Sequence, residues 1–268
     1  MPSTYAHYCF GQKVYNNLDT EVKQLIDRHH PLFLSGLQGP DLLFYYRPFT
    51  DNPVTSLAHE VHRKTAKEFF DRARNQLAKS QDQEAGIVYL LGFFCHFMLD
   101  SECHVLVKEV TGSDEGAHNR LEKELDRTLM LNDNLDPLSY RTSELVFIRP
   151  RDLALIASFY TDVIAEQIKI AYKDMKIFLD LIVTPGRLKY EIVSYAFRLF
   201  WGKRKFESLI INHEPISEYV ELSSDLSDLL SQAVLPTAEL AGELYRLLCE
   251  GKEGIATDAL RNRLDRTF

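Results

Sequence analysis

Residues 86–104 read GIVYLLGFFCHFMLDSECH, and the reading of this stretch decides the fold. Gly86 to Leu99 is a run of about 14 residues broken by a single imidazole, His96. A bilayer-crossing helix needs about 20 apolar residues, so a run of this length predicts a helix buried in a protein core. Around it, apolar residues recur at spacings of three and four over Asp19–His29, Lys64–Lys79, Asp82–Leu99, Ala117–Met130, Arg151–Leu181, Lys189–Trp201, Glu218–Ala233 and Thr237–Glu250. The alternation of period two that marks strands is scarce, and there is no internal repeat. The prediction is an all-α protein.

Prolines fall between the periodic segments, at Pro31, Gly39-Pro40, Pro48, Pro53, Pro137, Pro150, Pro185-Gly186 and Pro236, and read as helix punctuation. The Pro137–Pro150 stretch divides the chain into residues 1–137, a helical core holding almost all the metal-ligand chemistry, and residues 138–268, additional packing helices of the same domain. At 268 residues and 45% hydrophobic content the chain can bury a large core. A net charge of -8 excludes a broad basic nucleic-acid surface. Cys9, Cys95, Cys103 and Cys249 show no framework spacing, and the first residues lack the basic start and apolar stretch of a secretory signal. Both features lead to the expectation of a cytoplasmic protein with reduced thiols.

His96, Asp100 and His104 stand at i, i+4 and i+8, on one face of a helix. Eight residues of helix rise about 12 Å, too far for His96 and His104 to share one ion comfortably. Asp100 between them can join His96 on one metal and leave His104 for another. His118 and Glu122 repeat the i, i+4 pairing, and imidazole with carboxylate is a ligand set that zinc accepts. Upstream are His7, Asp41 after Gly39-Pro40, and the pair His59 and His62. His59-Glu60-Val61-His62 is not a metalloprotease HExxH, and no Gly-rich phosphate loop or nucleophile elbow is present. An apolar helix that presents His96 and Asp100 has to satisfy two buried polar groups, which a metal does well. Asp41 also suits a turn or a cap, His29-His30 a solvated helix end, His213 a loop, and Cys95 and Cys103 small buried thiols.

Taken in order, Pro2-Ser-Thr-Tyr-Ala-His7, Gly39-Pro40-Asp41, His62, His96-x3-Asp100-x3-His104 and His118-x3-Glu122 resemble the zinc-dependent phospholipase C family, which is structurally related to the S1/P1 nucleases. The likeness spans about the first 130 residues and is closest to the intracellular bacterial branch. It implies a phospholipase C/P1 nuclease-like helical bundle with a C-terminal helical extension, holding two or three zinc ions. His62, His96 and Asp100, with Asp41 nearby, would hold one ion, and His104, His118 and Glu122 a second. A third would use the amino terminus, His7 and Asp100. This sequence departs from the secreted enzymes in lacking an early tryptophan and in the x3 gap before His104, where x5 is usual; His59 is the alternative to His62. The implied chemistry is hydrolysis of a phospholipid or small phosphodiester by metal-activated water, which Asp41 would orient or deprotonate.

Rival readings are an S1/P1-like nuclease, a non-catalytic metal-stabilised helical protein, and a di-iron bundle built on the same HxxxE and HxxxD helices. The stretch Arg187–Phe206 interleaves basic and aromatic residues. It reads as a core helix with a basic end and, alternatively, as a peripheral membrane contact.

Overall fold

The computed structural model describes residues 4–201, 204–250 and 257–268. Among them the structure is helical, without a named strand. Helices α1 (Thr4–Asn16), α2 (Thr20–Arg28) and α3 (His30–Gly36) lead into a 3-10 turn, Gly39–Tyr45. Then come α4 (Pro53–Arg63), α5 (Ala66–Leu77), α6 (Gln83–Thr111) and α7 (Glu115–Asn132). The remainder carries α8 (Leu153–Ser158), α9 (Ala165–Ile182), α10 (Arg187–Trp201), α11 (Arg204–Glu207), α12 (Ser217–Glu250) and α13 (Asp258–Leu264).

The quoted stretch lies inside α6, the central helix. By length and composition α6 would pass for a membrane span, but 78% of its most apolar stretch is buried inside the fold, as befits a core helix. Its N-terminus is capped by Asp82, which accepts the Ala85 amide at 3.0 Å, and it ends at Gly112, whose φ of +56° suits glycine. Along this axis α3 packs closely, because Gly36 and Gly92 face each other. A Cβ on Gly36 would stand 2.3 Å from the Tyr89 carbonyl oxygen, and one on Gly92 2.3 Å from that of Phe33. Two bare backbones therefore approach to a distance that side chains would forbid, and the turn after α3 is delivered against His96.

Several boundaries differ from the sequence expectations. Pro31 and Pro53, read as breaks, sit in the first turns of α3 and α4, where a missing N–H costs nothing and the fixed φ suits the helix. The predicted helix Arg151–Leu181 is broken into α8 and α9, with Asp162 at φ 57° in the link. Conversely, Pro236 lies inside the continuous α12. An interior proline costs about 3 kcal/mol. Burial of Leu226, Leu230, Ala233, Val234, Ala238, Ala241 and Leu244 against α6, α7 and α1 offsets it. Helices α1 and α13 lie in stretches that the periodicity left unmarked. With α12 across the centre and α9 against the 3-10 turn, the later helices wall the same core as the earlier ones.

Candidate metal centre

Five histidines and three carboxylates, brought from five elements, meet at one place. His96, Asp100 and His104 project from successive turns of α6, and His118 and Glu122 from one turn of α7. His7 comes from the first turns of α1, Asp41 from the 3-10 turn and His62 from the last turn of α4. Their ligand atoms fall into three clusters: His7 with His96 and Asp100, Asp41 with His62 and His96, and His104 with His118 and Glu122.

Within these clusters His7 Nε2 lies 3.2 Å from Asp100 Oδ1, His96 Nε2 3.3 Å from Asp100 Oδ2, and His62 Nε2 2.9 Å from Asp41 Oδ1. His118 Nε2 and His104 Nε2 lie 2.9 Å and 3.3 Å from Glu122 Oε1. Asp100 joins the clusters, since its Oδ1 is also 3.9 Å from His104 Nε2 and its Oδ2 4.0 Å from His62 Nε2. Donors bound at 2.0–2.1 Å around a tetrahedral zinc stand about 3.3 Å apart, so these spacings fit ligand sets.

The unused ring nitrogens are fixed from behind. His96 Nδ1 donates to the Leu37 carbonyl at 3.1 Å, and His62 Nδ1 to that of Ala58 at 2.7 Å. Each bond selects the tautomer whose bare Nε2 faces the cluster. The His96 ring also stacks on His7 at 4.0 Å. Behind Asp41, the Gly39 carbonyl accepts from the Tyr160 hydroxyl at 3.1 Å, and Tyr160 in turn meets Tyr89 at 2.8 Å.

His96 Nε2, Asp41 Oδ2 and Asp100 Oδ2 are buried and have no hydrogen-bond partner in the protein. Leaving such atoms unsatisfied is costly, the more so where carboxylates crowd together. Cations answer both demands, so the residues fit a metal. The protons respond to the same field. Burial alone would push Asp100 up, but His104, His96 and His7 around it hold its carboxyl well below the usual range. Glu122 is likewise buried, and His118 and His104 bring it down. Burial opposes protonation of His7 and His104, yet Asp100 and, for His104, Glu122 leave both imidazoles raised.

Above the cluster opens a cleft of about 490 Å³. Asp41, His62, Asp100, His104, His118 and Glu122 line it, while His7 and His96 lie buried beneath. Phe44, Phe206, Leu209 and Phe268 form apolar wall, and Arg63 and Lys108 supply positive charge.

All eight residues singled out in the sequence are in this arrangement. His59, the alternative to His62, is exposed, with its ring on Phe44 at 4.7 Å, and His62 is the one that reaches Asp41. His29, His30 and His213 stand apart from the clusters. Burial pushes the Cys95 thiol up to about 12 and raises Cys103 as well, so neither is a ready thiolate ligand. Residues 1–3, the source of the predicted amine ligand, lie outside the described residues, as do residues 202–203 and the side chains of 200, 201, 204 and 205 in the basic and aromatic stretch. Sequence reasoning missed Phe268, Phe206 and Leu209, which carry no metal-ligand signal and reach the cleft only through the tertiary fold.

A family model described as zinc dependent phospholipase C matches residues 6–174, more than half of the chain and all eight clustered residues. A comparison with curated proteins and one with solved structures each return no match.

Proposed function

The chain belongs to the zinc-dependent phospholipase C family, and from that premise we propose that it is a zinc-dependent phosphodiester hydrolase acting on a phospholipid or a small phosphate ester. The observation that carries this reading is the set of buried ligand atoms without a hydrogen bond on Asp41 and Asp100, which line an accessible cleft, and on His96 directly beneath it. In this reading Asp41, His62 and His96 hold one ion, His104, His118 and Glu122 a second, and His7 with Asp100 a third, since the single free nitrogen of His96 serves one ion. Zinc supplies a Lewis acid that makes water nucleophilic near neutral pH and offsets charge on phosphoryl oxygens.

The chain's own residues do the rest. The carbonyls of Leu37 and Ala58 hold two imidazoles in the ligating tautomer. Asp41 both belongs to a cluster and lines the cleft, so its carboxylate can orient the attacking water and take its proton. Arg63 and Lys108 favour the anionic ester electrostatically, and the apolar wall takes the substrate's hydrocarbon part. On α10, Leu188, Ile192, Tyr195 and Leu199 share an exposed face that suits contact with a phospholipid surface. Liposome sedimentation of Leu188→Glu against the parent protein tests that contact. We place the protein in the cytoplasm on its cysteine usage, with Cys9, Cys95 and Cys103 buried and no disulfide formed among the four cysteines.

The deciding experiment pairs metal analysis of the purified protein with hydrolysis of chromogenic phosphodiesters and phosphocholine esters, with and without chelator. Two or three zinc ions and chelator-sensitive hydrolysis are expected. Full activity in His96→Ala or Asp100→Ala would end the proposal.

A further inference from the structure

Phe268 lies far beyond the residues that the family model matches, yet it is built into the metal centre. Only 3% exposed, its ring stands 5.3 Å from that of His62 and 6.1 Å from that of His96. Phe93 and Phe97 flank it at 5.8 Å and 5.2 Å. His62 thus has Phe44, at 5.3 Å, and Phe268 as ring neighbours, and His96, stacked on His7 with Gly39 over its other face, has Phe268 at its side.

The segment that delivers this ring is tied down at several points. Thr257 caps α13, and its hydroxyl donates to Glu243 at 2.6 Å. Leu260 and Leu264 are buried, and Arg263 reaches Met98 Sδ at 3.1 Å and pairs with Glu102, both on α6. The Ala66 amide donates to the Arg266 carbonyl at 3.0 Å, beside a bridge between Thr65 and Thr267. Lys108 donates to the Phe268 carbonyl at 3.4 Å. These ties run to the ends of α4 and α5 and to α6 on either side of Asp100, the framework that carries His62, His96 and His104.

We infer that the segment Thr257–Phe268 is a clasp over the metal centre and that Phe268 is a positioning residue for His62 and His96. A ligating imidazole needs its ring plane fixed as well as its tautomer, and aromatic neighbours packed around the ring do this. His62 needs it more than His96, since its side chain is 19% exposed at the end of a helix while that of His96 is fully buried. By contrast, His104 and His118 pack on each other, at 5.2 Å, and no ring contact joins them to Phe268 among the described residues. The inference rests on the reading that Asp41, His62 and His96 hold an ion, and it predicts that the clasp matters to that ion and not to the one at Glu122.

The test is zinc release from the full chain to a chromogenic chelator, with the phases assigned by comparison with His118→Ala. Phe268→Ala should lower the affinity for the His62/His96 ion, and so accelerate its loss, by about 10- to 100-fold, as for other groups that orient ligands. The His104/His118 phase should be unchanged, which doubles as the control for folding. Phe268→Leu, which keeps the apolar bulk, should recover most of the effect. Unchanged release, or equal acceleration of both phases, would overturn the clasp. If Phe268→Ala does not fold, Arg263→Gln loosens the segment without touching the ring, and the same outcomes decide. A parent protein that binds no zinc would instead sink the proposed function.

Discussion

Gly39 lies over the face of the His96 ring: a Cβ there would meet the imidazole's Cγ and Cδ2 at 2.4 Å and its Nε2 at 2.8 Å, at a φ of +53° that L side chains seldom adopt. The turn that carries Asp41 can pass under His96 only because this residue has no side chain. Gly39→Ala should therefore act on the metal centre and on stability together. Strain of this kind costs on the order of 1–3 kcal/mol before the steric clash is added. The expected outcome is a lowered thermal midpoint and weakened zinc at Asp41, His62 and His96, with the ion at His104 and Glu122 retained. Calorimetry and metal analysis of the same preparation check both.

Asp100 and His118 differ in reach, and their variants should differ in the number of ions lost. Asp100 Oδ1 and Oδ2 face four imidazoles, whereas His118 meets Glu122 and the neighbouring His104. Asp100→Asn should remove more than one equivalent of zinc, and His118→Ala only one. Stoichiometry by elemental analysis reads this directly, and equal losses would show that Asp100 does not connect the clusters.

The pH dependence of stability should change sign with metal loading. In chelator-treated protein His7 and His104 have pKa values raised above 6.5, so their contribution is complete below about pH 6.5 and is lost as pH rises through the folded values. Asp100 and Glu122 are depressed below 3.8 and 4.5, so theirs is present above those values and is lost only in stronger acid, as pH falls through the folded values. The thermal midpoint in chelator should therefore decline from about pH 6.5 upward. With zinc, protons compete with the ion for the same imidazoles, and the midpoint should rise over that interval. Parallel slopes with and without zinc would contradict the assignment of these residues as ligands.

Asp126 anchors the other side of the centre. One turn beyond Glu122 on α7, it accepts the Ala6 amide at 3.0 Å through Oδ1, while Oδ2 takes the buried Lys123 ammonium at 2.9 Å. The carboxylate thus caps the first turn of α1 from a distant helix and sets the position of His7. Asp126→Ala leaves a buried ammonium and an amide without their partner, which costs about 3–5 kcal/mol for the charge. The expected result is a marked loss of stability and weakened metal binding at His7, while Asp126→Asn, which keeps the acceptor, should be milder. Denaturant unfolding and zinc titration separate the two effects.

The all-α architecture and the two ligand pairs on α6 and α7 were legible in the chain because they depend on local spacing. Residues four apart on a helix share a face whatever surrounds them, so His96 with Asp100 and His118 with Glu122 could be read before any fold was known. Proline was less reliable. Its local cost depends on where the helix begins: nothing for Pro53 in the first turn of α4, and about 3 kcal/mol for Pro236 inside α12, where burial of the flanking residues outweighs it. What joins His7, Asp41 and His62 to those pairs is long-range packing: the contact of Gly36 with Gly92, the empty Cβ position of Gly39, and Asp126 holding Ala6. None of these leaves a periodic signal. Phe268 shows the limit most clearly, because a phenylalanine has no ligand chemistry to advertise, and only the folded chain places its ring against His62 and His96. Residue type and local spacing thus determined which atoms are able to bind a cation, and tertiary packing determined that they meet, since convergence of side chains distant in sequence depends on every contact between them.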